Sequence, residues 1–233
     1  MPRQRAEYDL QDLSKLIGEI ESVKRREQLT GLFRHIEKHC DLSKLPASCY
    51  MHGSYEGGCV DHSVRVTKVA LELRPIVAPL ISKDSIITVG LCHDLSKIGF
   101  VTKNGIVPRY LRNQNFDPNQ FPSRNNRPWF YNSSQIQFPL AVSTAIIAAK
   151  WTDLTWAELQ AITAHDGQYC EQNKPFSHHE TPLTLLITMA DTWSGHVIEG
   201  CIDQNQFNKE SDLLSVNESY GGDEHRNNNS SET

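Results

Sequence analysis

Long hydrophobic runs are missing from this chain. None of its 233 residues belongs to an apolar stretch of 18, roughly the length a membrane-spanning helix requires. The N-terminus, Met1-Pro2-Arg3-Gln4-Arg5-Ala6-Glu7, follows its charges with no apolar segment, unlike a secretory leader. A soluble, unsecreted protein is the expectation. C-x-x-C spacing is missing as well: six cysteines (Cys40, Cys49, Cys59, Cys92, Cys170, Cys201) are scattered singly, and Cys92 falls in a strongly apolar run. Reduced thiols in a cytoplasmic setting are therefore expected rather than a disulfide framework. Neither charge is in excess over the body. The formal charge of -5 belongs to the residues from Asp203 onward, where seven acids face Lys209 and Arg226, leaving 21 bases and 21 acids before it. That balance argues neither for nor against a polyanionic partner. Strand-like alternation and internal repeats are absent too, which leaves an all-α class.

What the chain does have is helical spacing, interrupted by a few polar residues in apolar company. The clearest case is Val89-Gly90-Leu91-Cys92-His93-Asp94-Leu95-Ser96-Lys97-Ile98-Gly99. An apolar run from Ile86 to Cys92 reads as a buried helix that delivers a histidine and an aspartate side by side at its C-terminal end. Neither group is easily buried beside leucines unless something pairs with it, and a divalent cation pairs with both.

Taken in order, residues 8 to 39 repeat Leu10, Leu13, Ile17, Ile20 and then Leu29, Leu32, Phe33, Ile36 at helical spacing, predicting one or two amphipathic scaffold helices. Next comes a loop with His52, Tyr55 and the pair Gly57-Gly58, where paired glycines permit a tight bend and a close backbone approach. The helix after it carries His62 in its first turn and is expected to stop before Pro75. Ser82 or Asp84 is a plausible N-cap for the organising helix. Residues 101 to 137 hold four prolines, six aromatics and five bases against the single acid Asp117; an ordered, irregular insertion is expected there. Thr155 to Glu158 is a capping-box candidate opening a helix that ends at His165-Asp166-Gly167. Thr181-Pro182 gives an N-cap and first-position proline for a last helix that carries Asp191. The domains expected are an N-terminal helical scaffold (1–45), a core with its insertion (46–202), and a disordered acidic tail (203–233).

His62, His93, Asp94 and Asp191 thus stand among apolar neighbours at three helices. Two imidazoles and two carboxylates suit Mn(II), Fe(II), Co(II), Ni(II), Zn(II) or Mg(II) with water in open positions. The order H…HD…D resembles the HD-domain superfamily of metal-dependent phosphohydrolases. A closer resemblance is to the branch containing bacterial 3′-to-5′ exoribonucleases, carried by His52, Tyr55, Gly57-Gly58 and His62, then Leu91, His93, Asp94 and Lys97, then Thr181-Pro182 and Ala190-Asp191. The match covers about residues 50 to 200.

The resemblance implies an all-α HD-domain helical bundle in which His62, His93, Asp94 and Asp191 hold a divalent metal. Asp94 would also orient or deprotonate a water, Lys97 would face the substrate phosphate or merely the helix dipole, and His165 would hold a phosphate oxygen or protonate the leaving group. Where two-metal members of that branch carry further histidines, this chain has Phe138-Pro139-Leu140 and His165-Asp166, so one tightly held metal is expected. An OB-type domain like that of the exoribonucleases is not expected. His52, Tyr55 and Asp166 are candidates for support around the site. Arg109, Arg112, Arg124 and Arg127 with Trp129 and Tyr131 are candidates to clasp phosphates and stack a base, or else simply pack the insertion; His178 and His179 read as surface. The expected function is hydrolysis of a phosphate ester, anhydride or diester in a nucleotide. The alternatives are a nuclease acting on short single-stranded nucleic-acid ends and a silent metal-stabilised module.

Overall fold

The computed structural model describes residues 6–102, 105–120, 126–136 and 138–200, with the backbone alone at 101 and 102. The expected acidic tail, Arg124 and Cys201 lie outside them. Seven α-helices dominate: α1 (Leu10–Gly18), α2 (Val23–His39), α3 (Gly58–Val77), α4 (Lys83–Cys92), α5 (Leu140–Trp151), α6 (Trp156–Ala164) and α7 (Pro182–Thr192). The class is all-α.

Polar side chains set the N-terminal ends of several of them. Asp9 and Asp12 form a capping box on α1, Thr155 and Glu158 form one on α6, and Ser82 and Thr181 accept from the third helical amide of α4 and α7. Asp84, in the first turn of α4, accepts from the amides of Glu21 and Ser22 at 2.9 Å each, tying the α1–α2 turn to α4. One core then joins Leu16 and Ile20, Leu29 and Leu32, Val64 and Ala70, Ile162, and Leu186 and Ile187 around α4. Helix α4 is buried on every side from Ile86 to Cys92, as a predominantly apolar stretch must be. The five described cysteines are free.

Two expectations are corrected. Helix α3 does not stop before Pro75 but runs to Val77, because a proline in the last turn removes one amide without preventing Ala78 N–H from reaching Arg74 O at 2.9 Å. The insertion is not wholly irregular either. Two antiparallel pairs are built in and at the start of it, β1 (Gly99–Thr102) with β2 (Gly105–Pro108), and β3 (Tyr110–Arg112) with β4 (Trp129–Tyr131). Strands of three or four residues are too short to show alternation. Gly99, at φ +123°, lets β2 pass so close that a Cβ there would lie 2.1 Å from Val107 O.

The glycine pair before α3 divides its work. Gly57 takes φ +78° at the N-cap, and Gly58 has no room for a side chain, since a Cβ would meet Gly53 O at 2.0 Å. The 47–57 loop is thereby pressed against the start of α3, over His62.

Candidate metal centre

Helix α3 supplies His62, the C-terminal end of α4 supplies His93 and Asp94, the end of α6 supplies His165, and the last turn of α7 supplies Asp191. These five polar groups converge inside the bundle. His62 Nε2 lies 3.0 Å from Asp191 Oδ1, 3.6 Å from Asp94 Oδ2 and 3.4 Å from His93 Nε2; His93 Nε2 is 3.3 Å from Asp94 Oδ2. His165 Nε2 stands 3.7 Å from the other Asp94 oxygen. The three imidazoles and Asp94 are buried, and Asp191 is partly open.

The outer nitrogen of each ring decides what the inner one offers. His93 Nδ1 sits 2.8 Å from Gly90 O, His165 Nδ1 sits 2.8 Å from Ile162 O, and His62 Nδ1 sits 2.8 Å from Glu199 Oε1. A carbonyl or carboxylate oxygen can only accept, so each Nδ1 carries the proton and each Nε2 presents a lone pair inward. Lone pairs and carboxylate oxygens crowded within hydrogen-bond distance repel one another unless a cation lies among them. Without one, protons take that place. Burial opposes the charge on His62, yet Glu199 and Asp191 hold its pKa up to about 10; burial likewise opposes His165, which Asp94 lifts to about 9. Asp191 is driven down in return, mainly by His62 against burial.

Three overlapping sets could hold a metal: His62 with His93 and Asp191, His93 with Asp94 and His165, and His165 with Asp166 and Asp191; in each set the ligand atoms lie within 4.8 Å of one another. The donors are imidazole nitrogens and carboxylate oxygens, which fits a first-row divalent ion. His93-Asp94 and His165-Asp166 occupy equivalent places. Each histidine caps a helix and bonds back to the carbonyl three residues earlier, so the second dipeptide repeats the local geometry of the first.

The remaining site candidates take varied positions. Lys97 is largely buried, with Nζ 2.5 Å from Asp94 Oδ2; burial works against its charge, but Asp94 overcomes that and raises its pKa. His52 stacks on His62 at 4.8 Å between centroids, and burial pushes its pKa down to about 4, so it is neutral at pH 7. Asp166 is half exposed, 3.6 Å from His165 Nε2. Tyr55 donates to Asp61.

In the insertion, Trp129 is buried, donates from Nε1 to Ser54 O at 3.2 Å, and has Arg112 4.9 Å from its ring centroid. Arg127 lies over Tyr50 and Arg109 over Tyr131. The Trp129–Ser54 and Arg127–Tyr50 contacts fasten the insertion to the loop that carries His52 and Tyr55. Tyr131 and Arg112 remain exposed.

Three residues behind the site were not singled out by the sequence. Glu199 is fully buried behind His62, Arg65 Nε approaches Glu199 Oε1 at 3.6 Å, and Asp61 holds Arg65 while accepting from the amides of Glu7 and Tyr8. Asp61 and Arg65, four apart on the helix of His62, were a readable pair. Glu199 lies 137 positions from its partner and follows a π-helical segment, Trp193–Ile198; nothing local announces it.

No protein-family model matches the chain, and no solved structure matches it. The chain is 26% identical over 100 residues to a Methanocaldococcus jannaschii protein named dihydroneopterin 2′,3′-cyclic phosphate phosphodiesterase; the match covers 38% of this chain and 40% of that protein's length.

Proposed function

We propose that this protein is a metal-dependent phosphohydrolase of the HD type that cleaves a phosphodiester bond in a small nucleotide-like substrate. The observation that carries the reading is the convergence of three histidine Nε2 lone pairs, each fixed by a bond at its own Nδ1, with the carboxylates of Asp94 and Asp191. His62, His93, Asp94 and Asp191 would hold one divalent cation, and His165 with Asp166 and Asp191 offers a place for a second. Such an ion neutralises charge on a phosphoryl oxygen and brings the pKa of water toward neutrality. Lys97 keeps Asp94 ionised and aimed inward. His165 either completes the ligand set or gives a proton to the leaving oxygen. Substrate would enter from the side of the partly open Asp191 and the exposed Asp166.

The likeness to a cyclic-phosphate phosphodiesterase supports a diester, and makes a 2′,3′-cyclic nucleotide the first substrate to try. The exoribonuclease resemblance gains no support from it. The test is chelator-stripped protein reloaded with Mn(II), Fe(II), Co(II), Ni(II), Zn(II) or Mg(II) and assayed on 2′,3′- and 3′,5′-cyclic nucleotides, linear nucleotides and labelled oligonucleotides. Metal-dependent turnover of a cyclic or linear nucleotide, lost in Asp191→Ala and His93→Ala, is expected. Wild-type metal content in those variants would overturn the metal assignment; activity on oligonucleotide ends alone would favour the nuclease.

A further inference from the structure

A cavity of about 460 Å³ opens between α5, α2 and the first strand pair, within the volume range of small-molecule sites, about 300–1,000 Å³. None of the described residues that line it belongs to the metal centre. Its walls combine two features that rarely share a concave surface by chance. Phe100, Phe138 and Trp151 with Ile146 give it a flat apolar lining, Phe100 and Phe138 meeting edge to face at 6.5 Å. Arg109 and Lys150 give it two cations, and no carboxylate lines it among the described residues. Two cations beside an aromatic slot that no described carboxylate lines are complementary to an amphipathic anion.

We propose that this cavity binds a small molecule with a flat aromatic body and one anionic group, phosphate, sulfonate or carboxylate, at a site separate from the metal centre. The aromatic body would lie against Trp151 and Phe100, and the anion would meet Arg109 and Lys150. The inference does not rest on the phosphohydrolase reading, because no residue of that centre takes part.

The test is fluorescence titration of the full chain with 8-anilinonaphthalene-1-sulfonate, which carries both features and has no ester to hydrolyse. Saturable binding at one site per chain is expected, unaffected by chelator or by Asp94→Asn. It should weaken by about tenfold or more in the Arg109→Ala/Lys150→Ala double variant, the loss expected for charge-assisted bonds, and vanish in Ser143→Trp, which fills the cavity. N-phenyl-1-naphthylamine, the same body without the sulfonate, should bind as weakly to wild type as the sulfonate binds to the double variant. Absence of saturable binding, equal affinity in the folded double variant, or equal affinity for the neutral probe would each overturn the proposal. Circular dichroism and thermal midpoints of the variants keep a folding failure from being read as loss of the site; if Ser143→Trp does not fold, the double variant decides.

Discussion

Replacing Glu199 by glutamine removes one charge and almost no volume from behind His62. In the native arrangement the carboxylate is buried, with Oε1 2.8 Å from His62 Nδ1 and 3.6 Å from Arg65 Nε, while Oε2 has no hydrogen-bond partner among the described residues. Burial works against the carboxylate, but His62 more than offsets it and keeps Glu199 ionised. A glutamine carbonyl still accepts from Nδ1, so the tautomer that turns Nε2 inward survives. The negative charge that makes the imidazole a strong donor to a cation does not. Losses of this kind behind a metal-bound histidine typically weaken binding by about 10- to 100-fold, roughly 1.4–2.8 kcal/mol. Glu199→Ala goes further, leaving Nδ1–H unsatisfied and Arg65 with Asp61 and Glu7, so stability should fall by roughly 3 kcal/mol as well. The assay is calorimetric titration of stripped wild-type and Glu199→Gln protein with Mn(II) or Co(II), beside thermal midpoints in excess chelator. A folded Glu199→Gln protein that binds the ion within twofold of wild type would refute the reasoning, since the charge would then be irrelevant to His62.

Other outcomes follow from the same geometry. Gly90→Ala should lower the melting temperature by about 3–10 °C in calorimetry, because a Cβ at 90 would lie 2.4 Å from Thr67 Oγ1 and 3.0 Å from Thr67 Cα, and overpacking costs roughly 1–3 kcal/mol. Arg25→Ala should cost roughly 3 kcal/mol in urea unfolding by stranding the fully buried Glu158 carboxylate, whereas Lys24→Ala, which breaks an exposed pair with Asp153, should leave the midpoint unmoved. Cation affinity should rise with pH by about tenfold per unit for each proton displaced, up to the pKa values near 9 and 10 of His165 and His62; titrations between pH 6 and 9 that show a flat affinity would contradict it. The stability of the metal-free site runs the other way. Both histidines have raised pKa values, so their contribution is complete below about pH 6.5 and fades as pH climbs through 9 and 10; chelated protein should melt lower at pH 10 than at pH 6.

Much of the scaffold could be read from local chemistry. Ser82, Thr155 and Thr181 cap helices because a short side-chain oxygen competes for an amide within three residues, an interaction that sequence distance already contains. His93-Asp94 at the end of an all-apolar helix was visible for a similar reason: polar groups in such a run need partners, whatever the fold. The short strand pairs were not visible, since pairing of Gly99 with Pro108 or Tyr110 with Tyr131 is a choice among partners rather than a property of either segment. The arginines of the insertion could be named as a basic aromatic group, but only packing assigns Arg112 to Trp129 and Arg127 to Tyr50.

By itself, then, the sequence determined where capped helices begin, and that histidines and aspartates would intrude on a greasy interior. Only the tertiary structure decided that His165 joins His62, His93, Asp94 and Asp191, that Lys97 is tied to Asp94, and that Glu199 stands behind His62. Capping and periodicity are short-range and repeat along the chain, whereas burial of a charge is settled by whichever distant group arrives beside it.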